Sequence, residues 1–360
     1  MLRRAGARLR AFRLAKVTGT GPLPRRRLGR SPFEVTALGL GCAPLGELFV
    51  RVDDATAESA LQAAWDGGIR YFDTAPEYGL GLSEHRVGRF LRERPRREFL
   101  LSTKVGRLLH APRDVAKYRK VFWTGGLDFD YRFDYGYDAV MRSMEDSFQR
   151  LGLNRVDALL IHDLDVFTHG SQAQVDAHMT QLLTGGWRAL ADLRASGMIG
   201  AIGAGLNDAG MMLRLLETTD LDFFLLAMRY TLLEQETLDA ELPRCVEKGV
   251  GLVIGGVFNS GITATGAVAG ATYNYAPATP EIMRRVARIE AVCGRHGVAL
   301  PAAALQFPLG HPAVAAVIPG ALGPAQVIAN LAHFNSPIPP AFWAELKREG
   351  LIRADAPTPG

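Results

Sequence analysis

The chain alternates short apolar runs with longer segments in which apolar residues recur every three to four positions. Short runs bounded by glycine, proline or polar residues are typical of buried strands, and the longer segments are typical of amphipathic helices. Eight strands are predicted, over residues 35–42, 69–73, 99–104, 156–162, 199–204, 221–226, 250–254 and 314–318. Strands that alternate with helices predict a parallel sheet, and eight of them predict a (β/α)₈ barrel of the TIM type.

The segments between these strands predict the helical layer of the barrel. Six helices are expected over residues 54–67, 137–151, 177–195, 234–247, 280–296 and 300–307. Another begins at Ser83, a residue type that caps helix N-termini, and ends before Pro95. Asn207 and Pro324 begin the helices that follow the fifth and eighth strands, and the second of these is expected to be the last helix.

Before the first strand, residues 26–35 have glycine and proline between apolar positions. This pattern predicts a small β-hairpin, which we expect to plug the floor of the barrel. Residues 23–345 are therefore expected to form one barrel domain with long loops at its mouth. Residues 346–360 are expected to form a C-terminal tail.

Three polar residues stand where predicted strands end, namely Asp73, Lys104 and His162. The loop after the first of these strands carries Tyr78. Taken singly, each residue has a structural explanation, because aspartate often caps a turn and a lone histidine is usually part of the core. The C-terminal ends of strands in a closed parallel barrel meet at one mouth, however. The four residues are therefore expected to form one catalytic site.

These four residue types suit proton transfer coupled to hydride transfer. A free tyrosine has a pKa near ~10, and a neighbouring ammonium group lowers it. Lys104 would supply that ammonium group, and Asp73 would hold it charged and in place. His162 would orient the substrate oxygen while Tyr78 exchanges its proton.

The segment between Lys104 and the helix at residue 137 has about 30 residues without a clear period and is rich in aromatic residues. Loops of this length are usually functional or disordered, and the aromatic residues argue against disorder. We expect a substrate lid here, and a loop packed on the barrel exterior is the alternative. The expected substrate contacts are Phe122, Trp123, Tyr135 and, after the seventh strand, Phe258.

Residues 71–79, 102–106 and 160–163 resemble the aspartate–tyrosine, lysine and histidine motifs of the aldo-keto reductase family. The resemblance extends over about residues 24–335. Residues 133–138 and 229–233 resemble the subgroup of D-threo-aldose (L-fucose-type) 1-dehydrogenases, to which pyridoxal 4-dehydrogenases lie close.

The resemblance implies an NAD(P)-dependent oxidoreductase that oxidises an aldose at C1 to a lactone. Pyridoxal or a general aldehyde is the alternative substrate. An alternative of another class is a regulatory subunit that binds the coenzyme without turnover.

No Gly-x-Gly-x-x-Gly follows the first strand, so the dinucleotide-binding motif of a Rossmann fold is not present there. The resemblance implies instead that the coenzyme binds in the mouth of the barrel. Its phosphates are expected under the loops after the seventh and eighth strands. The implied contacts are Gly41, Asn207, Ser260, Gly261, Gly320, Gln326 and Asn330. Three departures from the family pattern affect the nicotinamide contacts, where this chain has Gly205-Leu206, Ala227 and Gly255.

The segment from Gly320 to Asn330 contains no arginine or lysine. A 2′-phosphate carries roughly two negative charges and is usually held by such residues. We therefore predict NAD rather than NADP as the preferred coenzyme, unless a basic residue such as Arg295 reaches the site from elsewhere.

The net charge of +4 is unevenly distributed along the chain. Residues 1–30 contain nine arginines, one lysine and no acidic residue, so the remaining 330 residues carry a net charge of −6. An acidic body argues against nucleic-acid binding. Residues 1–22 are expected to be a disordered extension, with a basic arm for RNA or lipid, or a targeting peptide, as alternatives.

The remaining composition predicts a cytoplasmic location. Hydrophobic residues make up 48% of the chain, yet no apolar run reaches the ~20 residues that span a bilayer. Cys42, Cys245 and Cys293 have no metal-ligand spacing, so we predict no metal site and a reducing compartment. The expected partner is a small sugar or aldehyde, bound by a monomer or small homo-oligomer.

Overall fold

The computed structural model, which describes residues 22–114, 118, 120 and 122–360, is built around eight parallel strands. They run over Leu40–Gly41, Tyr71–Asp73, Leu100–Val105, Ala158–His162, Ala201–Leu206, Phe223–Ala227, Gly251–Gly255 and Val314–Ile318. The strands pair in chain order, and bridges from Leu38 to Val317 and from Gly41 to Gly320 join the first strand to the eighth. The predicted (β/α)₈ barrel is confirmed.

Helices surround the barrel. The α-helices of the described residues are Asp54–Asp66, Leu82–Leu91, Tyr137–Leu151, Val166–His169, Gln172–Gln181, Trp187–Ala195, Gly210–Thr218, Glu241–Lys248, Ile262–Thr265, Pro280–His296, Leu300–Gln306, Pro324–Phe334 and Pro340–Arg348. Helices 137–151 and 280–296 have the predicted bounds. The helix predicted from residue 177 begins at Gln172 and continues through a π-helical segment, Leu182–Gly186, where two consecutive glycines interrupt the regular pattern.

A β-hairpin closes the floor of the barrel, as predicted. Its strands, Arg25–Arg27 and Glu34–Thr36, pair antiparallel. Leu28 and Val35 are buried in the same cluster as inward-facing residues of the barrel strands. Gly29 has φ +55° and lies so close to the carbonyl of Asp222 that a Cβ would be 2.0 Å from that oxygen. The hairpin therefore needs glycine at this turn to seat against the barrel.

The first barrel strand is shorter than predicted. Residues 34–36 form the second strand of the hairpin and pair with Arg25–Arg27, and only Leu40–Gly41 pairs with the second barrel strand. The apolar run continues through both elements, so hydrophobicity alone does not separate them.

Ser83 does not cap the second helix, because Gly81 occupies the N-cap. Its buried hydroxyl donates to the carbonyl of Cys42 at 2.8 Å and lies 2.9 Å from the Thr74 hydroxyl. Ser83 instead ties together the segments that follow the first and second strands.

Two segments have more structure than the pattern predicts. Arg107–His110 and Asp130–Phe133 form an antiparallel hairpin within the long segment after the third strand. The helix Pro340–Arg348 crosses the predicted domain boundary at residue 345, and Leu351 and Ile352 beyond it are buried. The last residues therefore pack on the barrel and do not form a separate tail, which corrects the predicted boundary.

The predicted N-terminal extension, residues 1–22, lies outside the described residues except for Pro22. Among the described residues, no helix combines the length and apolar character needed to cross a lipid bilayer.

Candidate active site

The second and third strands place a buried ion pair at the mouth of the barrel. Lys104 Nζ lies 2.6 Å from Asp73 Oδ2 and also donates to the carbonyl of Thr74 at 2.8 Å. Ser102 donates to Asp73 Oδ1 at 2.7 Å. Burial raises the pKa of Asp73, and the Lys104 ammonium acts against that shift. The aspartate therefore fixes the direction of the lysine side chain.

Tyr78 lies in the loop between the second strand and its helix, beside this ion pair. Its ring centre is 4.5 Å from Lys104 Nζ and 5.8 Å from the ring centre of His162. The structure thus brings together all four residues predicted for catalysis.

The pKa of Tyr78 differs from the expectation based on Lys104 alone. Burial raises it well above its usual value, and the carboxylates of Asp73, Asp163 and Glu77 raise it further. Since Asp73 largely offsets the charge of Lys104, the neutral phenol is the favoured form in the ligand-free protein.

His162 ends the fourth strand and is also buried. Burial lowers its pKa well below the usual value, and the nearby charges of Arg107 and Lys104 lower it further. The imidazole is therefore neutral, with one nitrogen able to donate and the other to accept.

Three charged residues next to His162 were not predicted. Arg107 Nη2 lies 2.9 Å from Asp163 Oδ2 and 3.4 Å from Glu77 Oε2. His162 Nε2 lies 3.4 Å from the same Asp163 oxygen and 3.9 Å from the same Glu77 oxygen. Arg107 follows the lysine strand after Gly106, while Glu77 and Asp163 directly adjoin Tyr78 and His162. Their positions beside residues predicted for catalysis were the signal available in the sequence.

The long segment after the third strand reaches the mouth as expected for a lid. Trp123 is buried with its ring centre 5.8 Å from that of Tyr78, and it bridges to Leu48 in the loop after the first strand. Leu127 N donates to the carbonyl of Gly79. The residues 115–117, 119 and 121 of this segment lie outside the described residues.

Four largely exposed aromatic residues form a line across the mouth, which we call the aromatic rim: Phe122, Phe49, Tyr275 and Phe167. Consecutive ring centres are 5.6, 6.3 and 6.2 Å apart, and 44 to 61% of each residue is exposed. Phe122, Phe49 and Tyr275 come from three separate loops, and Phe167 lies in the short helix Val166–His169. Phe122, predicted as a substrate contact, is thus at the outer edge of the mouth.

Two other predicted substrate contacts lie elsewhere. Tyr135 is completely buried, and its hydroxyl donates to the carbonyl of His162 at 2.7 Å and lies 3.2 Å from His169 Nε2. It supports the histidine backbone from behind and has no surface for a ligand, which corrects that prediction. Phe258 packs against the hydrophobic layer between strands and helices.

The predicted coenzyme contacts after the fifth and seventh strands already have partners in the protein. Asn207 Nδ2 donates to Asp163 Oδ1 at 2.9 Å. Ser260 Oγ accepts from the backbone N–H of Tyr275 at 2.9 Å, and Gly261 N donates to the carbonyl of Phe258. Gly261 has φ +109°, and a Cβ there would meet no atom within 4 Å. The turn therefore leaves open space beside Gly261 for close approach of a ligand.

The predicted contacts near the eighth strand divide into packing and surface positions. Gly41 and Gly320 face each other where the barrel closes, and a Cβ on Gly41 would lie 2.7 Å from the carbonyl oxygen of Ile318. Gln326 Oε1 accepts from Leu322 N at 2.7 Å. Asn330 lies partly exposed in the helix Pro324–Phe334.

The barrel, its strand-end residues and its mouth agree with a family assignment from sequence. Residues 37–349 match the sequence profile of the Aldo/keto reductase family, and the chain belongs to that family. It is an NAD(P)-dependent oxidoreductase.

Two relatives match nearly the whole chain. A pyridoxal 4-dehydrogenase of Microbacterium luteolum is 45% identical over 91% of this chain and 98% of its own length. A D-threo-aldose 1-dehydrogenase of a Pseudomonas species is 40% identical over 90% of this chain and 96% of its own. Among solved structures, the holo form of an aldo-keto reductase from Bacillus halodurans superposes with a TM-score of 0.71 at 22% identity, covering 93% of this chain and 98% of that one.

Proposed function

We propose that this enzyme oxidises the anomeric carbon of an aldose to a lactone, with NAD⁺ as the preferred coenzyme. The observation that supports it is the meeting of Tyr78, Lys104, Asp73 and His162 at one mouth. The 40% identity to a D-threo-aldose 1-dehydrogenase supports the substrate class.

In this proposal Tyr78 is the group that exchanges a proton with the substrate hydroxyl. Lys104 stabilises the phenolate form through its charge, and Asp73 keeps the ammonium in position. His162 holds the substrate oxygen by a hydrogen bond from its neutral ring. In the oxidative direction Tyr78 accepts the hydroxyl proton, and in reduction it returns a proton to the carbonyl oxygen.

The coenzyme would supply the hydride acceptor, and the open turn at Gly261 fits a bound dinucleotide. Gly261, Ser260 and the exposed side chain of Gln326 are the residues proposed to hold it. Engagement of the Ser260 hydroxyl requires that its bond from Tyr275 N be shared with the ligand or exchanged for it. Asn207 is proposed to contribute to coenzyme binding indirectly, through Asp163, because its side-chain amide nitrogen already donates a hydrogen bond to that carboxylate.

Pyridoxal is the second candidate substrate, favoured by the 45% identity to a pyridoxal 4-dehydrogenase and by the aromatic rim. The two candidates share one reacting group. Pyridoxal carries a hydroxymethyl group next to its aldehyde, and the two close into a cyclic hemiacetal, as an aldose does. Loss of hydride from that carbon gives a lactone in both cases.

A substrate panel tests the proposal. Purified enzyme with NAD⁺ is offered L-fucose, other aldoses, pyridoxal and simple aldehydes, and reduced coenzyme is followed by absorbance. We expect the highest kcat/KM with an aldose. Higher kcat/KM with pyridoxal would replace the aldose by the second candidate, and coenzyme binding without any turnover would favour a regulatory subunit.

We further propose a cytoplasmic enzyme that acts as a monomer or small homo-oligomer. The free, buried state of all three cysteines suits a reducing compartment. Size-exclusion chromatography with light scattering measures the assembly state directly.

A further inference from the structure

Arg107, Glu77 and Asp163 form a buried charged cluster beside His162, and the proposed proton transfer uses none of them. Arg107 is nearly inaccessible, with its guanidinium carbon 4.8 Å from the ring centre of Phe133. It bridges the two carboxylates at 2.9 and 3.4 Å. Burying one guanidinium with two carboxylates is costly unless the charges are paired and hydrogen-bonded. A site that keeps this arrangement invites a functional explanation.

The two carboxylates are not fully occupied by the protein. A carboxylate accepts about four hydrogen bonds. Asp163 accepts hydrogen bonds from Arg107 and from Asn207. Among the described residues, the carboxylate of Glu77 is paired only with Arg107 and His162. Glu77 is also only partly buried, so it presents free acceptor capacity at the mouth.

The carboxylates of Glu77 and Asp163 lie next to His162 Nε2, the nitrogen proposed to bind the reacting oxygen of the substrate. The Glu77 and Asp163 oxygens nearest to His162 Nε2 are 3.9 and 3.4 Å from it. A hydroxyl on the carbon next to the reacting one would therefore come within hydrogen-bonding reach of a carboxylate. Since ionised carboxylates only accept hydrogen bonds, the group they recognise must be a donor.

A cation is the other ligand that such a group suggests. Ligand atoms of Glu77, His162 and Asp163 lie within 4.8 Å of one another. Arg107 already provides a positive charge between the two carboxylates, however, and its fixed guanidinium leaves less reason for a metal ion.

We propose that Glu77 and Asp163 bind the C2 hydroxyl of an aldose, and that Arg107 positions both carboxylates for this contact. This assignment rests on the proposed aldose oxidation. It makes the cluster the part of the site that selects sugars over substrates without a hydroxyl beside the reacting carbon. Glu77, with the larger free acceptor capacity, provides the main contact.

Substrates with and without the hydroxyl test the assignment in the full-length enzyme. We would measure kcat/KM for L-fucose and for 2-deoxy-L-fucose with the wild type, Glu77→Gln and Asp163→Asn. A hydrogen bond to a charged group corresponds to about a ten- to hundredfold preference. The wild type should prefer L-fucose by about that factor, and Glu77→Gln should bring the ratio close to one. Asp163→Asn should reduce it less, and asparagine tolerates the φ of +50° at this position.

Glu58→Gln is the matched control, because Glu58 is an exposed helix residue outside the site, paired with Arg89 at 3.5 Å. It should keep the wild-type ratio. A wild type that oxidises L-fucose with the same ratio as Glu77→Gln would overturn the hydroxyl assignment alone. A wild type that oxidises no aldose would overturn the proposed substrate and this assignment together.

Arg107 acts through the carboxylates, so it needs a separate measurement. Arg107→Gln removes the charge that lowers the pKa of Asp163, which burial already raises to about 7. The part of the L-fucose preference that Asp163 contributes should then be lost at a higher pH as the solution is acidified, and Arg107→Lys should restore part of the wild-type profile. An Arg107→Gln variant that stays folded and keeps the wild-type pH profile of the ratio would exclude the positioning role.

Discussion

Lys104 places its ammonium nitrogen 4.5 Å from the centre of the Tyr78 ring. The same nitrogen donates to Asp73 and to the carbonyl of Thr74, so two of its three protons are committed. This geometry lets the lysine stabilise a phenolate without forming a fixed bond to the neutral phenol. The charges of Lys104 and Asp73 nearly balance each other while the tyrosine keeps its proton.

Replacing Tyr78 by phenylalanine removes the hydroxyl and keeps the ring. Because general acid–base catalysis contributes about 10²–10⁴-fold, turnover should fall by that factor while coenzyme affinity stays near the wild-type value. Steady-state kinetics and a coenzyme titration measure the two effects. Tyr137→Phe is the control, since that hydroxyl is on the barrel exterior with Asp192. Near-normal turnover in Tyr78→Phe, with chemistry rate-limiting, would refute the role given to the tyrosine.

Lys104→Met should reduce both turnover and stability. It leaves the buried Asp73 carboxylate without its partner, and breaking a buried pair costs about 3–5 kcal/mol of unfolding free energy. Adding Asp73→Asn should recover much of that stability, since no buried charge remains, but should not restore turnover. Urea unfolding and kinetics of the single and double variants separate the two roles. If the single variant Lys104→Met and the double variant have equal free energies of unfolding, Asp73 does not remain charged in the single variant.

Oxidation and reduction should respond differently to pH. Burial raises the pKa of Tyr78, so the phenol dominates at neutral pH and the phenolate becomes populated only as pH increases. Oxidation needs the phenolate as proton acceptor and should speed up with rising pH, whereas reduction needs the phenol and should stay nearly constant until the pH approaches the raised pKa of Tyr78. Pre-steady-state rates of hydride transfer in both directions measure this. An oxidation rate independent of pH from neutral to alkaline solution would contradict it.

NAD⁺ should be preferred over NADP⁺ by at least about tenfold in kcat/KM, because one or two charge-assisted hydrogen bonds to a 2′-phosphate are missing. Arg295, the basic residue considered as an alternative partner for the phosphate, is paired with Glu345 at 2.8 Å and with Glu349. Gln326→Arg should improve use of NADP⁺, and Ala332→Arg, at the far end of the same helix, should not. A wild type with equal kcat/KM for the two coenzymes would show that other residues bind the phosphate.

The aromatic rim should affect substrate capture more than stability. Phe122→Ser removes a ring that is 61% exposed, so little buried surface is lost. We expect a higher KM with a melting temperature close to that of the wild type. Asp128→Asn, another exposed position of the same segment, is the control. A large fall in melting temperature would instead assign the ring a structural role.

The proximity of the four residues predicted for catalysis could be expected because each stands at or just after the end of an apolar run, and barrel topology then brings such ends together. The burial of Arg107 could not be expected, since its position after the lysine strand does not show that its guanidinium will lie between two carboxylates. That burial depends on pairing between residues 77, 107 and 163, which come from two loops and the first strand of the hairpin after the third barrel strand. Contacts of this kind are set by tertiary structure and leave no period in the sequence.

Tyr135 and Ser83 show the same limit at single residues. An aromatic residue in a long polar segment resembles a ligand contact, yet Tyr135 is completely buried and bonded to the His162 carbonyl. A serine before an apolar helical pattern resembles an N-cap, yet its hydroxyl faces inward to Cys42. In both cases the residue type was informative about hydrogen bonding, but the partner was distant in the chain.

Three members of the aromatic rim, Phe49, Phe122 and Tyr275, have φ angles between +61° and +68°. Bulky residues rarely adopt this region, and each such residue costs about 1–3 kcal/mol. Backbone strain at the mouth therefore accompanies the exposure of these three aromatic rings. Laboratory evolution that selects for thermal stability alone should accordingly accumulate glycine or asparagine at these three positions first. The selected variants should have higher melting temperatures and a higher KM for the substrate.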